Sequence, residues 1–123
     1  MVRAVLVAQS SPSDPAREDE YNEWYDNVHL PDVCSISGVV SARRFKLSQN
    51  QQMNPAGSRA ARQYMAIYEI ATDDLAATLQ AIYDRSTDGT FELSTALEID
   101  PLPVTACWEL HESTSAEMGA ATT

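Results

Sequence analysis

Three titratable side chains fall at even spacing in the first third of the chain: Asp26, His29 and Asp32. An unperturbed imidazole ionises at about pH 6.5, so His29 can take or give a proton near neutrality. Either carboxylate could hold one ring nitrogen while the other nitrogen faces a substrate. Tyr21, Trp24 and Tyr25 precede the histidine by eight, five and four residues. At helical spacing Tyr21, Tyr25 and His29 share one edge. Three amphipathic rings beside one histidine suit a flat, partly polar ligand such as a phenol, a quinone or a polyketide. Tyr64 and Tyr68 could face the same space from a later strand, and Trp108 from the last one. Arg43 shares a strand face with Val39 and Phe45. An arginine there must find an anion, either a protein carboxylate or the carboxylate or enolate of a ligand.

Each of these residues also has an ordinary structural explanation. A histidine at a helix C-terminus interacts with the last carbonyls and the dipole. Aromatic residues at helical spacing commonly form core. The acidic first helix offers Arg43 internal or intersubunit partners. A metal site is not expected, because no second histidine lies near Asp26, His29 and Asp32. His111 belongs to the last strand, and nothing in the sequence brings it to His29. There is no Gly-rich phosphate loop, dinucleotide motif or nucleophile elbow. Either histidine could ligate haem, without further support. The expectation is a site with no cofactor.

Stepping outward, the elements that hold these residues are legible in order. Val2–Ala8 is valine-rich and free of breakers, a buried strand. Asp14-Pro15 is a helix start. The helix runs to about Leu30, with Tyr21, Trp24, Tyr25 and Val28 as its apolar face. Pro31 ends it and opens a short turn to Ser35. Gly38 leads into a second strand, Val39–Leu47. Strict alternation there sets Val39, Ser41, Arg43, Phe45 and Leu47 opposite Val40, Ala42, Arg44 and Lys46, with Arg44 on the exposed or dimer side. The polar segment 48–62 has no usable period. The third strand is Gln63–Ile70, with Tyr64, Ala66, Tyr68 and Ile70 on one face. Thr72-Asp73-Asp74 caps a second long helix to Thr87, whose core stripe is Leu75, Leu79, Ile82 and Tyr83. Phe91–Glu98 reads as a short helix, Asp100–Pro103 as a rigid linker and Val104–His111 as the last strand.

The order β-α-β-β-α-β predicts an α+β fold of ferredoxin-like type, a four-stranded antiparallel sheet with helices on one face. Residues 1–112 form one domain and 113–123 a flexible tail. Both faces of strands one and three carry apolar residues, so the second sheet face also needs a cover. A second copy laid sheet on sheet supplies it, which predicts a homodimer.

Composition narrows the partners. Eighteen acids against eight Lys and Arg give a formal net charge of −10, which argues against nucleic acid or an anionic membrane. The charge is uneven. Glu18, Asp19, Glu20, Glu23, Asp26 and Asp32 face only Arg17, while Arg43, Arg44, Lys46, Arg59 and Arg62 sit in an acid-free stretch. Such asymmetry is solvated, steers an anionic ligand or pairs two subunits. The two cysteines, Cys34 and Cys107, have no metal or CxxC spacing and are read as reduced, partly buried thiols of a cytoplasmic protein. The apolar run Ala4–Ala8 is too short for a signal or a membrane span.

The run YNEWYDNVHLPDVCSISGVVSARRF, Tyr21–Phe45, resembles the dimeric α/β-barrel superfamily and, within it, the EthD-like proteins. An aromatic acidic helix ends in a WY-x-x-x-H-x-P signature, and a glycine turn and an ARRF-type strand follow. Trp24, Tyr25, His29, Pro31, Gly38, Arg43, Arg44 and Phe45 match as they stand, while Ser37-Gly38 replaces a more usual Pro-Gly. The resemblance implies a dimeric α/β barrel with one ligand pocket per subunit between helices and sheet. The superfamily includes cofactor-free monooxygenases, polyketide cyclases, decarboxylases, isomerases and haem-binding enzymes. With the residues above, it leads to a first expectation. The protein is a cofactor-independent enzyme doing acid/base chemistry (decarboxylation, cyclisation, dehydration or isomerisation) on an aromatic or polyketide-like substrate. His29 is the acid or base, Asp26 or Asp32 orients it, and Tyr21, Trp24, Tyr25, Arg43, Tyr64, Tyr68 and Trp108 line the site. The alternatives are a cofactor-free monooxygenase and a non-catalytic ligand-binding or accessory protein. A catalytic His29 opens to a tyrosine-lined cavity; a structural one has both ring nitrogens satisfied.

Overall fold

The computed structural model describes residues 1–51 and 60–116. Most of the 48–62 segment and of the 113–123 tail therefore lies outside the described residues. Four strands, β1 (Val2–Ser10), β2 (Val39–Lys46), β3 (Tyr64–Thr72) and β4 (Val104–Glu109), form one antiparallel sheet in the order β2-β3-β1-β4. Helices cover one face, in the β-α-β-β-α-β chain order that the sequence suggests. Among the described residues no helix is long and apolar enough to cross a membrane.

The register sorts the side chains into two layers. Across the inner face run the rows Ala42–Tyr68–Leu6–Cys107 and Arg44–Ala66–Ala8–Thr105. Tyr68, Ala66, Ile70 and Tyr64 are buried there under the helices. Across the outer face run Ser41–Glu69–Val5–Trp108 and Phe45–Met65–Gln9–Val104. Val40, Phe45, Val104 and Trp108 are large and exposed on this side.

The first helical arm is continuous from Pro15 to Cys34. Asp14 caps it by accepting from the Ala16 N–H at 2.8 Å. A 3₁₀ turn (Pro15–Arg17) leads into α1 (Glu18–Trp24), a π-helical turn (Tyr25–His29) and α2 (Leu30–Cys34). Pro31 therefore does not end the helix where its ring would be expected to. The chain widens by one residue instead: the Leu30 N–H reaches back to the Tyr25 carbonyl, and Leu30 keeps helical angles of φ −59 and ψ −48. The wide turn relieves the clash a proline makes with the carbonyl four residues earlier.

Three further expectations are corrected. The second strand does not alternate strictly. Val39 pairs with Ile70 and Ser41 with Glu69, so an irregularity between them shifts the phase of everything downstream. Ala42, Arg44 and Lys46 turn inward, and Ser41, Arg43 and Phe45 turn outward. On α3 (Leu75–Thr87), Leu75, Thr78, Leu79 and Ile82 face the sheet, while Tyr83 is exposed. Thr78 takes the fourth place on the stripe, which leaves Tyr83 at its edge. Phe91–Glu98 is not a helix. It is an irregular crossing with a turn closed by Leu97 N–H donating to the Ser94 carbonyl at 3.2 Å; it buries Phe91 and Ala96 and bridges Leu97 to Pro12, with Ser13 N–H donating to the Ala96 carbonyl at 2.6 Å. Pairing with the chain ahead of the first helix satisfies its backbone groups better than an isolated turn would.

Gly38 sets the entrance to β2. Its φ is +99, and a Cβ there would stand 2.9 Å from Thr78 Oγ1 and 3.2 Å from Thr72 Cβ. Both threonines are held, since Thr78 Oγ1 donates to Thr72 Oγ1 at 3.0 Å. Gly38→Ala is expected to cost about 1–3 kcal/mol from the left-handed angle and the crowding together. Urea unfolding measures it, and an unchanged midpoint would remove this account of the corner.

Candidate functional site

Because of the shifted phase, Arg44 and not Arg43 stands under the helix. Arg43 is 63% exposed on the outer face and pairs with Glu69 at 3.3 Å. The Arg44 side chain is 11% exposed. Its guanidinium carbon lies 4.3 Å from the ring centre of Tyr25, 5.0 Å from that of Tyr64 and 5.3 Å from that of Tyr21. Electron-rich ring faces suit a desolvated cation. Arg44 Nη1 donates to Asp26 Oδ1 at 2.8 Å, and Nη2 to Asn22 Oδ1 at 3.0 Å. Asp26 thus positions Arg44 rather than His29. Lys46 on the same face pairs with Glu18 at 3.2 Å. The uneven charge of the sequence is in part an internal pairing of the acidic helix with the basic strand.

His29 closes the π turn. Its ring stacks on Trp24 at 4.9 Å and 25°, and meets Tyr25 edge-on at 5.1 Å and Phe91 edge-on at 6.1 Å. Burial among these rings pulls its pKa down to about 4; Asp32 works against this and Arg44 with it. Asp32 is close enough to act through its charge, but His29 Nδ1 is buried without a hydrogen-bond partner. Of the two predicted orienting carboxylates, one is engaged elsewhere and the other makes no hydrogen bond to that nitrogen. Among the described residues no group of three His, Cys, Asp or Glu side chains is arranged to hold a metal.

The tyrosines divide in two. Tyr21 is hydrogen-bonded to Ser10, and Tyr64 donates to Glu18 and accepts from Asn22 Nδ2 at 3.2 Å. Trp24 Nε1 donates to the Glu92 carbonyl at 2.7 Å. These three are satisfied core residues. Tyr68, 2% exposed, has no partner for its hydroxyl. Burial raises its pKa, and the nearby Tyr25 hydroxyl raises it further without reaching hydrogen-bond geometry. Burial also raises Tyr25. Trp108 does not join them; it is 63% exposed on the opposite sheet face. His111 also lies apart, on the rim of a 690 Å³ hollow with Trp108, Arg3 and Glu69. A smaller hollow of 200 Å³ lies where the β2–β3 connection leaves the sheet, lined by Gln9, Phe45 and Met65 of the outer face together with Lys46 and Tyr64. Neither hollow is lined by His29, so its open nitrogen meets one half of the test for a catalytic role while the cavity half is not met. Cys34 and Cys107 are free and partly buried, and burial pushes both thiols up.

Sequence reasoning missed Arg44 and Asn22. Asn22 lies three residues before Tyr25 on the first helical arm, a spacing that makes the two side chains neighbours. Arg44 was reachable only by allowing the second strand to slip.

A depressed histidine pKa makes stability depend on pH in a known direction. Unfolded chains take up a proton at about pH 6.5, and the folded chain resists until about pH 4. The contribution is fully present above pH 6.5 and is lost as pH falls toward 4, amounting to about 3 kcal/mol. His29→Phe keeps a ring on Trp24 and cannot titrate. Its stability should fall less steeply than wild type between those limits in urea titrations, and parallel curves would contradict the lowered pKa.

No protein-family model matches the sequence, and no curated protein is similar to it. Among solved structures, the crystal structure of HapK from Hahella chejuensis is similar over 93% of this chain and 98% of its own, with a TM-score of 0.59 and 18% sequence identity. At that identity the likeness is one of fold, and this chain shares with HapK a small α+β architecture.

Proposed function

We propose that the protein is a cofactor-independent, cytoplasmic enzyme that moves a proton on a small aromatic or polyketide-like molecule held between helix and sheet, with His29 as the base. The observation that carries this reading is the bare Nδ1 of His29, buried among Trp24, Tyr25 and Phe91 with no protein partner. A histidine kept for packing alone would be expected to have both nitrogens satisfied. Its low pKa keeps the ring neutral at pH 7 and makes it a weak base whose imidazolium gives its proton up readily. The proton passes from a substrate carbon or hydroxyl to Nδ1, leaving a substrate anion and an imidazolium. That imidazolium, acidic for a histidine, returns the proton to another substrate atom. Decarboxylation, cyclisation, dehydration and isomerisation all use such a pair of steps.

The ferredoxin-like strand arrangement and the dimeric α/β barrel of the EthD-like proteins belong to the same proposal. Supporting it is the outer sheet face, where Val40, Phe45, Val104 and Trp108 are exposed beside partly buried Val5, Val7, Met65 and Ile67. Such an apolar face fits a second copy laid sheet on sheet. Trp108→Glu should convert a dimer to a monomer in sedimentation experiments with the fold intact by circular dichroism. A wild-type monomer at micromolar concentration would end the dimer proposal.

Catalysis is tested by screening phenolic and polyketide acids for turnover, then comparing His29→Gln. The variant should lose about 100-fold or more in kcat. Wild-type activity should be flat through neutrality and fall only as pH drops through about 4. Turnover untouched by the substitution would dismiss His29 as the base.

A further inference from the structure

Among the described residues three buried side-chain polar atoms lack partners: His29 Nδ1, Arg44 Nε and the Tyr68 hydroxyl. All three belong to the layer between the first helical arm and the inner sheet face. Tyr25 links two of them, since its ring centre is 5.1 Å from that of His29 and 4.3 Å from the Arg44 guanidinium carbon. Tyr68 and Arg44 are diagonal neighbours on the sheet, because Ala42 pairs with Tyr68 and Arg44 with Ala66. The residues between them, Ala42 and Ala66, are small.

The chemistry of the three atoms is not symmetric. Arg44 Nε–H can only donate, and it belongs to a permanent cation. The Tyr68 hydroxyl is a donor as readily as an acceptor. An unused donor on a buried cation is costly. Asp26 answers only one edge of the guanidinium and is itself half exposed. What would satisfy the rest is an anionic oxygen. We propose that Arg44 is the residue that anchors the ligand, and that the ligand is an organic anion whose carboxylate, phenolate or enolate oxygen accepts from Arg44 Nε–H and the Tyr68 hydroxyl. This rests on reading the inner layer as a ligand site, but not on His29 being a base. It also moves the anion-binding role from Arg43, which faces the other way, to its neighbour. The planar Tyr21, Tyr25 and Tyr64 rings that hold the cation favour an aromatic body behind the anion.

Calorimetric titration of the full chain at pH 7 with salicylate, and with its neutral analogue salicylamide, tests this. Salicylate should bind at least about tenfold more tightly than the amide, as charge-assisted hydrogen bonds require. Arg44→Lys keeps the charge but loses Nε and should weaken salicylate by about tenfold or more. Arg43→Gln should leave affinity unchanged. Should Arg44→Lys fail to fold, Tyr68→Phe decides. It removes only an unpartnered hydroxyl, so it should melt at or up to about 4 °C above wild type while losing salicylate affinity by about fivefold. A structural hydroxyl would show the reverse pattern. No binding at millimolar salicylate, equal binding of the amide, or undiminished affinity in folded Arg44→Lys or Tyr68→Phe overturns the proposal. Arg44-dependent binding with turnover indifferent to His29→Gln would keep the anchor and discard the base. His29-dependent turnover with binding indifferent to Arg44 would do the opposite.

Discussion

The burial of one guanidinium organises this protein. Arg44 rises from the second strand, and its cation is held by two hydrogen bonds from the first helical arm and by the faces of three tyrosines. A desolvated charge tolerates little misplacement, because losing one partner leaves an expensive unpaired ion. The helical arm must therefore lie over β2 and β3 with Asn22, Tyr21, Tyr25 and Asp26 in one particular rotation. That rotation also decides where His29 falls, one turn on from Tyr25. Upstream, Arg44 points inward only because the strand slips between Val39 and Ser41, just after the left-handed turn at Gly38. A backbone corner, a strand irregularity, a buried cation and a histidine form one causal chain.

That chain explains which parts of the structure were legible in the sequence. Element order, helix caps and the inner row Tyr64, Ala66, Tyr68 and Ile70 follow from period and capping chemistry, which are local. The face of Arg44 does not. Alternation carries a phase, and a single irregular residue inverts it for the rest of the strand. Val39-Val40 offers no glycine or other mark of the slip. The two arginines in series then exchange faces, so that alternation alone puts the exposed one under the helix. Pro31 misleads for a related reason: its ring forbids an ordinary helical turn but not a wider one. Phe91–Glu98 has apolar spacing that fits a helix and an irregular crossing alike, and only pairing with the chain around Pro12 decides.

The candidate site was legible in kind and not in detail. Tyr25, Tyr68 and His29 do meet in one layer, as aromatic spacing around a histidine suggests. Tyr21, Trp24 and Tyr64 share that layer but have their polar atoms satisfied within the protein. Trp108 lies on the other sheet face, exposed beside Val40 at the 690 Å³ hollow and away from His29. Residue type could not separate these groups, because a packed tyrosine and a ligand-binding tyrosine look identical until their hydroxyls are followed to a partner.

The acidic composition takes on a different meaning in this arrangement. A chain of net charge −10 repels an organic anion at long range, which slows encounter and makes it faster in salt. Close in, the balance changes. Asp26 and Glu18 are drawn toward Arg44 and Lys46, so part of the helix's negative charge is already neutralised at the sheet. Arg44 is screened by rings and not by water, and a fixed cation in such surroundings acts strongly over a few ångströms. Net charge and local field therefore have opposite signs for the same ligand. An acidic protein can hold an anion provided the cation is buried, oriented and only partly answered by its own carboxylate, which is the condition of Arg44.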